Sequence, residues 1–159
     1  MTTSRPSVAS LNLSEALADS VVEFETLIEN KNLSLNCDFD DLEIFSCKRL
    51  LEIVWNNLIS NAIKFTPNGG NIDISLKREG ENAKIAVKDS GCGMTSEVGA
   101  KIFEKFYQGD TSHACAGNGL GLALVKKVID ILGGEILVQS ELNVGSTFII
   151  ILKNVVTEK

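Results

Sequence analysis

The segment from Lys48 to Phe65 constrains the fold most strongly. Apolar residues recur along it at helical spacing, and it contains no proline or glycine that would interrupt a helix. The sequence Thr66-Pro-Asn-Gly-Gly70 follows at once. Proline cannot continue a helix and Asn-Gly favours a turn, so we predict one long helix that ends at about Phe65.

Three polar residues of this helix lie beside its apolar face. Asn57, Asn61 and Lys64 stand at i, i+4 and i+7, so their side chains project from one side, which Ile53 and Val54 border. Buried polar groups need partners, and three of them in a row favour a polar ligand. An asparagine carbonyl suits Mg²⁺, and a lysine neutralises phosphate. The alternative is that both asparagines bond to nearby backbone while Lys64 extends to solvent.

The remaining pattern predicts three helices and about six strands, most of the strands linked as hairpins. These elements favour an α+β fold, a two-layer α/β sandwich in which the helices cover one face of a mixed, mostly antiparallel sheet. Residues 1–12 are predicted to be a linker remnant, and residues 13–159 one domain. Ser14 is the predicted cap of the first helix. The helices are expected at about 14–30, 48–65 and 120–132, and strands at 33–39, around 44, 135–140 and 146–152. A further hairpin is expected from the alternation of Ile72, Ile74 and Leu76 and of Ile85 and Val87, with Gly80 and Asn82 between them.

Composition excludes several classes of function. The formal net charge of −6 argues against a nucleic-acid partner and against contact with an anionic membrane. The four cysteines show no C-x-x-C spacing and His113 is the only histidine, so no zinc site is expected. The longest purely apolar run, Phe148 to Leu152, is far shorter than the roughly 20 residues that cross a bilayer.

Two glycine-rich segments suggest a nucleotide. Asp89-Ser-Gly-Cys-Gly-Met94 ends a predicted strand, where glycines let the backbone approach a flat ligand and the carboxylate can accept a hydrogen bond from the adenine 6-amine. Gly117-Asn-Gly-Leu-Gly-Leu122 opens a predicted helix, whose free N–H groups suit an anion. It is neither a dinucleotide G-x-G-x-x-G motif, because Leu122 replaces a glycine, nor a Walker A loop. Each segment alone also fits an ordinary turn or hinge.

These segments, in this order, resemble the ATP-binding catalytic domain of bacterial sensor histidine kinases, which has the Bergerat fold that DNA gyrase, Hsp90-type chaperones and MutL share. The resemblance runs from about Leu13 to Leu152. Residues 57–67 look like the N box, 89–93 the G1 box, 102–107 the F box and 117–122 the G2 box. Gly145-Ser-Thr-Phe148 is similar to the closing strand of the family.

The resemblance implies a site for ATP and Mg²⁺, with a flexible ATP lid at residues 108–118. It implies that Asp89 binds the adenine amine, and that Asn61 and Lys64 contact phosphates. Gln108 departs from the family, in which many members have an arginine that approaches the terminal phosphate. The residues implied to bind ATP are Asn57, Asn61, Lys64, Asp89, Gly91, Gly93, Tyr107, Gly117, Gly119, Leu120, Gly121, Leu122 and Thr147, and the one implied to bind Mg²⁺ is Asn57.

The resemblance also implies what the chain lacks. Family members phosphorylate a histidine on a separate helical dimerisation domain, and His113 lies within the implied lid instead. We therefore expect ATP binding without autophosphorylation. The expected partners are the dimerisation and phosphoacceptor domain of the parent kinase and a response regulator. The chain alone is expected to be a monomer, and the location cytoplasmic, as part of a membrane-bound parent.

Two other interpretations stay open. The first is a different ATPase or kinase of the same fold, such as a serine-directed anti-sigma-factor kinase. The second is a nucleotide-binding module that only docks a partner. Intact Asn57, Asp89 and G2-box glycines speak against the second.

Overall fold

The computed structural model describes residues 8–94 and 119–157 of the chain. Within these ranges there are four helices and seven strands. They follow one another as β1 (Ala9–Asn12), α1 (Leu13–Val22), α2 (Glu25–Asn30), β2 (Ser34–Phe39), β3 (Glu43–Ser46), α3 (Lys48–Phe65), β4 (Asn71–Glu79), β5 (Asn82–Asp89), α4 (Gly119–Ile131), β6 (Glu135–Glu141) and β7 (Gly145–Leu152).

The main sheet has five strands in the order β2-β4-β5-β7-β6. β2 runs parallel to β4, and the other three pairings are antiparallel. Alternate residues of β4, β5 and β7 are buried, which places one face of the sheet against the helices. The core joins this face to α1, α3 and α4, and Trp55, Leu58 and Ile85 are each no more than 1% exposed. The predicted α+β sandwich with a mixed, mostly antiparallel sheet is confirmed.

A second, two-stranded sheet of β1 and β3 differs from the sequence prediction. The linker predicted for residues 1–12 does not extend over residues 9–12, which pair antiparallel with residues 43–46. The backbone near the C-terminus continues this sheet, because Phe45 N–H donates to the Val155 carbonyl at 2.8 Å. This strand forms through distant partners rather than through a pattern of its own, so local sequence does not reveal it.

The first predicted helix is two helices. The break lies between α1 and α2, at Glu23 and Phe24. The cap of α1 is Asn12 rather than Ser14: the Asn12 side-chain oxygen accepts from Glu15 N–H at 2.9 Å, and Ser14 donates its hydroxyl to the same oxygen.

The long helix α3 has the predicted bounds, and its C-terminal end is held by other residues. Thr66 N–H and hydroxyl both donate to the Ala62 carbonyl. The Lys31 ammonium donates to the Ile63 carbonyl at 2.7 Å and so satisfies an acceptor that the helix leaves open. These bonds fix the end of α3 that carries Asn61 and Lys64. Within the described ranges, no helix is both long and apolar enough to span a membrane.

Candidate functional site

The site begins with a carboxylate at the end of a buried strand. β5 lies between β4 and β7, and its inward positions are Ala83, Ile85, Val87 and Asp89. The alternation of the strand therefore carries an acidic side chain into a row that is otherwise apolar. Asp89 is only 6% exposed.

Two backbone N–H groups partner this carboxylate. Gly91 N–H donates to Asp89 Oδ1 at 2.8 Å, and Ser146 N–H on β7 also donates to the side chain. Burial raises the pKa of the Asp89 carboxyl above its ordinary value, and the two hydrogen bonds oppose that rise. The carboxylate is thus desolvated, and the two N–H groups leave further lone-pair capacity on its oxygens.

The loop after Asp89 needs glycine at two positions. A Cβ on Gly91 would lie 2.6 Å from the Phe65 carbonyl oxygen at the end of α3. Gly93 has φ of +68°, and a Cβ there would collide with the Glu141 carbonyl of β6. The loop is therefore held tightly between the end of α3 and the β6–β7 hairpin.

The β6–β7 hairpin also binds this loop through hydrogen bonds. Asn143 N–H in the turn donates to the Cys92 carbonyl at 2.6 Å. Met94 N–H donates to the Ser140 hydroxyl at 2.8 Å. The loop and the hairpin are thus joined at two successive points beyond Asp89.

Helix α3 contributes two asparagines one turn apart. Asn57 Nδ2 donates to the Ile53 carbonyl at 2.7 Å. Because a carbonyl only accepts, the Asn57 amide nitrogen must face it, which leaves Oδ1 for another partner. Asn61 is 8% exposed, and its buried Nδ2 has no hydrogen-bond partner among the described residues. An unpaired buried amide costs about 1–3 kcal/mol, so a ligand acceptor at Asn61 would offset that cost.

Asn61 and Asp89 line one small cavity, which we call the notch. Its volume is about 40 Å³, so it suits the edge of a flat ligand rather than a whole one. Polar groups converge in it on an otherwise apolar lining, the usual composition of a ligand site. Its lining residues are Asn61, Phe65, Asp89, Cys92, Gly93, Met94, Leu122, Ser146 and Phe148.

The notch brings together some of the candidate residues and leaves others apart. Leu122, in the first turns of α4, is inside it. Lys64 is exposed on the last turn of α3. Thr147 does not line the notch but lines a shallow groove beside it, which Asp89 and Ser146 also line. Gly119, Leu120 and Gly121 begin α4. Tyr107, Gly117, the F box at 102–107 and the lid at 108–118 lie outside the described residues.

Ser146 is a site residue that the sequence analysis missed. In β7 the inward positions are Ser146 and Phe148, so Thr147 between them faces the other side. The register pairs Ser146 with Asp89. The alternation of Phe148, Ile150 and Leu152 could have indicated it, because Ser146 continues that row toward the strand start.

Comparison with known proteins finds a matching family and several similar chains. The model of the family "Histidine kinase-, DNA gyrase B-, and HSP90-like ATPase" matches residues 47–155. The heme sensor protein HssS of Staphylococcus saprophyticus is 37% identical over 87% of this chain and 30% of its own length. The sensor-like histidine kinase SenX3 of Mycobacterium bovis is 34% identical over 92% of this chain and 37% of its own. The chain thus spans about a third of these relatives.

A solved catalytic domain has the same fold. The nucleotide-free catalytic domain of histidine kinase ThkA superposes with a TM-score of 0.82 at 30% identity, and the match covers 92% of this chain and 95% of that domain. ThkA has also been solved in complex with the response regulator protein TrrA.

The fit of Gly93 against the hairpin leads to a stability prediction. Gly93→Ala adds a collision with the Glu141 carbonyl to the cost of alanine at positive φ, whereas Gly69→Ala has the same backbone cost with open space around it. Positive φ costs alanine about 1–2 kcal/mol, and overpacking adds about 1–3 kcal/mol. Urea denaturation should therefore give Gly93→Ala the lower free energy of unfolding by at least about 1 kcal/mol. Equal values for the two variants would contradict the close packing.

Proposed function

The chain belongs to the histidine kinase-, DNA gyrase B-, and HSP90-like ATPase family as the ATP-binding catalytic domain of a sensor histidine kinase, and we propose that it donates the γ-phosphate of Mg²⁺-bound ATP to a histidine on a separate dimerisation domain. The single observation that carries this proposal is the convergence in one notch of the Asp89 carboxylate and the Asn61 amide, which is unpaired within the described part of the chain.

In this proposal Asp89 recognises adenine. Its buried carboxylate offers only acceptors, and the adenine 6-amine is a donor. Guanine has a carbonyl at that position and would place an acceptor against an acceptor, which is costly in a desolvated site. Gly91 and Gly93 let the loop backbone approach the base. In β7 we assign the supporting contact to Ser146 rather than Thr147, because Ser146 faces the notch.

The phosphates and Mg²⁺ would lie toward α3 and the start of α4. Asn57 fits a magnesium ligand, because its Nδ2 is engaged by the Ile53 carbonyl and its Oδ1 remains available. Asn61 would donate to a phosphate oxygen, and Lys64 would neutralise phosphate charge from the exposed last turn. The resemblance assigns further nucleotide contacts to Tyr107 and to the G2-box residues Gly117, Gly119, Leu120, Gly121 and Leu122. Because α4 begins at Gly119, its N-terminal amides would donate to the phosphates.

The partners of the proposed reaction belong to the rest of the parent protein and to its pathway. Because the curated relatives are about three times as long as the match, we propose that the phosphoacceptor histidine and the dimer interface belong to another part of the parent kinase. A response regulator would then receive the phosphate, as the complex of ThkA with TrrA suggests by analogy. We place the domain in the cytoplasm as a monomer when isolated.

The adenine role of Asp89 can be tested by calorimetry. Asp89→Asn replaces one acceptor oxygen by a donor that meets the adenine amine, so the affinity for Mg²⁺ and a non-hydrolysable ATP analogue should fall at least about tenfold, or about 1.4 kcal/mol. Asp73→Asn is the matched control, because Asp73 is exposed on β4 and bonds Asn36 instead. It should bind as the wild type does. Equal affinity of all three proteins would remove Asp89 from adenine recognition.

The amino acid that accepts the phosphate gives a separate prediction. The chain incubated alone with ATP labelled at the γ-phosphate should remain unlabelled. Addition of the dimerisation segment of the parent kinase in trans should produce a phosphate on that segment that is stable to base and labile to acid, as a phosphohistidine is. An acid-stable phosphoserine on an acceptor protein would instead identify a serine kinase of the same fold.

A further inference from the structure

We propose that Ser140 is a positioning residue of the nucleotide notch, which holds the loop after Asp89 in its binding shape and sets the direction of the Ser146 hydroxyl. The proposal rests on the function proposed above and extends it to strand β6, which the ATP-binding motifs do not include. Ser140 does not line the notch. It acts through the groups that do.

Ser140 lies at the end of a cross-strand row that contains the site. The register pairs Asp89 on β5 with Ser146 on β7, and Ser146 with Ser140 on β6. Residues paired in this way share one face of the sheet. The row therefore runs from the adenine-recognising carboxylate to the edge strand in two steps.

The Ser140 hydroxyl has three polar neighbours. It accepts from Met94 N–H at 2.8 Å, and its oxygen lies 3.1 Å from the Gly145 carbonyl, to which it can donate its one proton. Its oxygen also lies 2.8 Å from Ser146 Oγ, a distance at which either hydroxyl can be the donor. A single side chain thus joins the loop after Asp89 to both strands of the hairpin.

The hydrogen-bonding capacity of a serine makes these three bonds interdependent. A hydroxyl has one proton and two lone pairs. If Ser140 donates to Gly145, its two lone pairs take Met94 N–H and the Ser146 hydroxyl proton, and Ser146 then offers only acceptors to the notch. If Ser140 donates to Ser146 instead, the Ser146 proton is free to point into the notch. Ser140 therefore controls whether Ser146 is a donor or an acceptor there.

The choice between these two proton arrangements decides how well the notch complements the edge of adenine. Adenine presents an amine donor beside a ring-nitrogen acceptor, so it is complemented by the Asp89 carboxylate and a donor next to it. When Ser140 donates to Ser146, the Ser146 hydroxyl is held in place as an acceptor and can supply that donor to adenine, directly or through a water; when Ser140 accepts from Ser146, it cannot. Loss of the Ser140 hydroxyl would leave Met94 N–H without its acceptor and the Ser146 hydroxyl without its fixed partner.

The packing of the loop makes the Met94 bond consequential. Gly93 fits directly against the Glu141 carbonyl and Asn143 N–H holds the Cys92 carbonyl, so the loop follows the hairpin residue by residue. The Met94–Ser140 bond is the next contact along this series, and Met94 itself lines the notch. Release of this bond would let a wall of the notch move.

The test compares Ser140→Ala, Ser140→Thr and the control Ser75→Ala in the full chain. Threonine keeps the hydroxyl and suits a strand, and Ser75 is a half-buried serine on the other face of the same sheet. Calorimetry measures the affinity for Mg²⁺ and the ATP analogue, and hydrogen exchange measures the Met94 amide in the nucleotide-free chain. We expect Ser140→Ala to weaken binding about threefold to tenfold, because Met94 N–H and the Ser146 hydroxyl both lose their partner. It should also speed hydrogen exchange of the Met94 amide. The other two variants should match the wild type.

Several outcomes would overturn the proposal. These are wild-type affinity in Ser140→Ala, an equal loss of affinity in Ser140→Thr, or unchanged Met94 exchange in Ser140→Ala. The function proposed above fails separately, if the wild type itself does not bind the nucleotide. In that case the role of Ser140 in nucleotide binding fails with it, and Met94 exchange still decides whether Ser140 holds the loop.

Discussion

The burial of one carboxylate organises the site. Asp89 occupies a position in β5 that the alternation of the strand gives to apolar residues, and it is 6% exposed. A charge there is tolerated only with hydrogen bonds, which Gly91 and Ser146 supply from either side. The loop glycines and the register of β5 with β7 are the geometric conditions for these two bonds. In the proposed function, the lone pairs of Asp89 that these two bonds leave open accept the hydrogen bond from the adenine amine.

Two elements of the fold pack on either side of the loop that follows this carboxylate. One is the end of α3, where Lys31 and Thr66 donate hydrogen bonds to helix carbonyls and against which Gly91 packs. The other is the β6–β7 hairpin, which bonds the loop at Cys92 and Met94. A site placed between two such elements is preorganised, so little conformational freedom remains to be lost on binding. The Asn61 amide, which has no hydrogen-bond partner among residues 8–94 and 119–157, lines the same notch, so a ligand acceptor there would offset the cost of burying it.

Much of this could be predicted from sequence, and the failures share a cause. The bounds of α3 and the positions of the sheet strands follow from apolar periodicity and turn residues, which act locally. The strand β1 depends on pairing with residues more than thirty positions away, so the local sequence predicts only a linker at residues 9–12. The resemblance implies Thr147 because a motif gives an order of residues, whereas the pairing with Asp89 and the alternation of the strand place Ser146 in the notch lining. The notch itself is a product of tertiary packing.

The central claim is tested most directly by the ionisation of Asp89. A carbon-detected NMR titration of its carboxyl group, with and without Mg²⁺ and the ATP analogue, measures the pKa in both states. Burial should raise the pKa above its ordinary value in the free chain. The adenine amine donates to the ionised form and stabilises it, so the pKa should fall when the nucleotide binds. An identical pKa in the two states, at saturating nucleotide, would contradict recognition of adenine by this carboxylate.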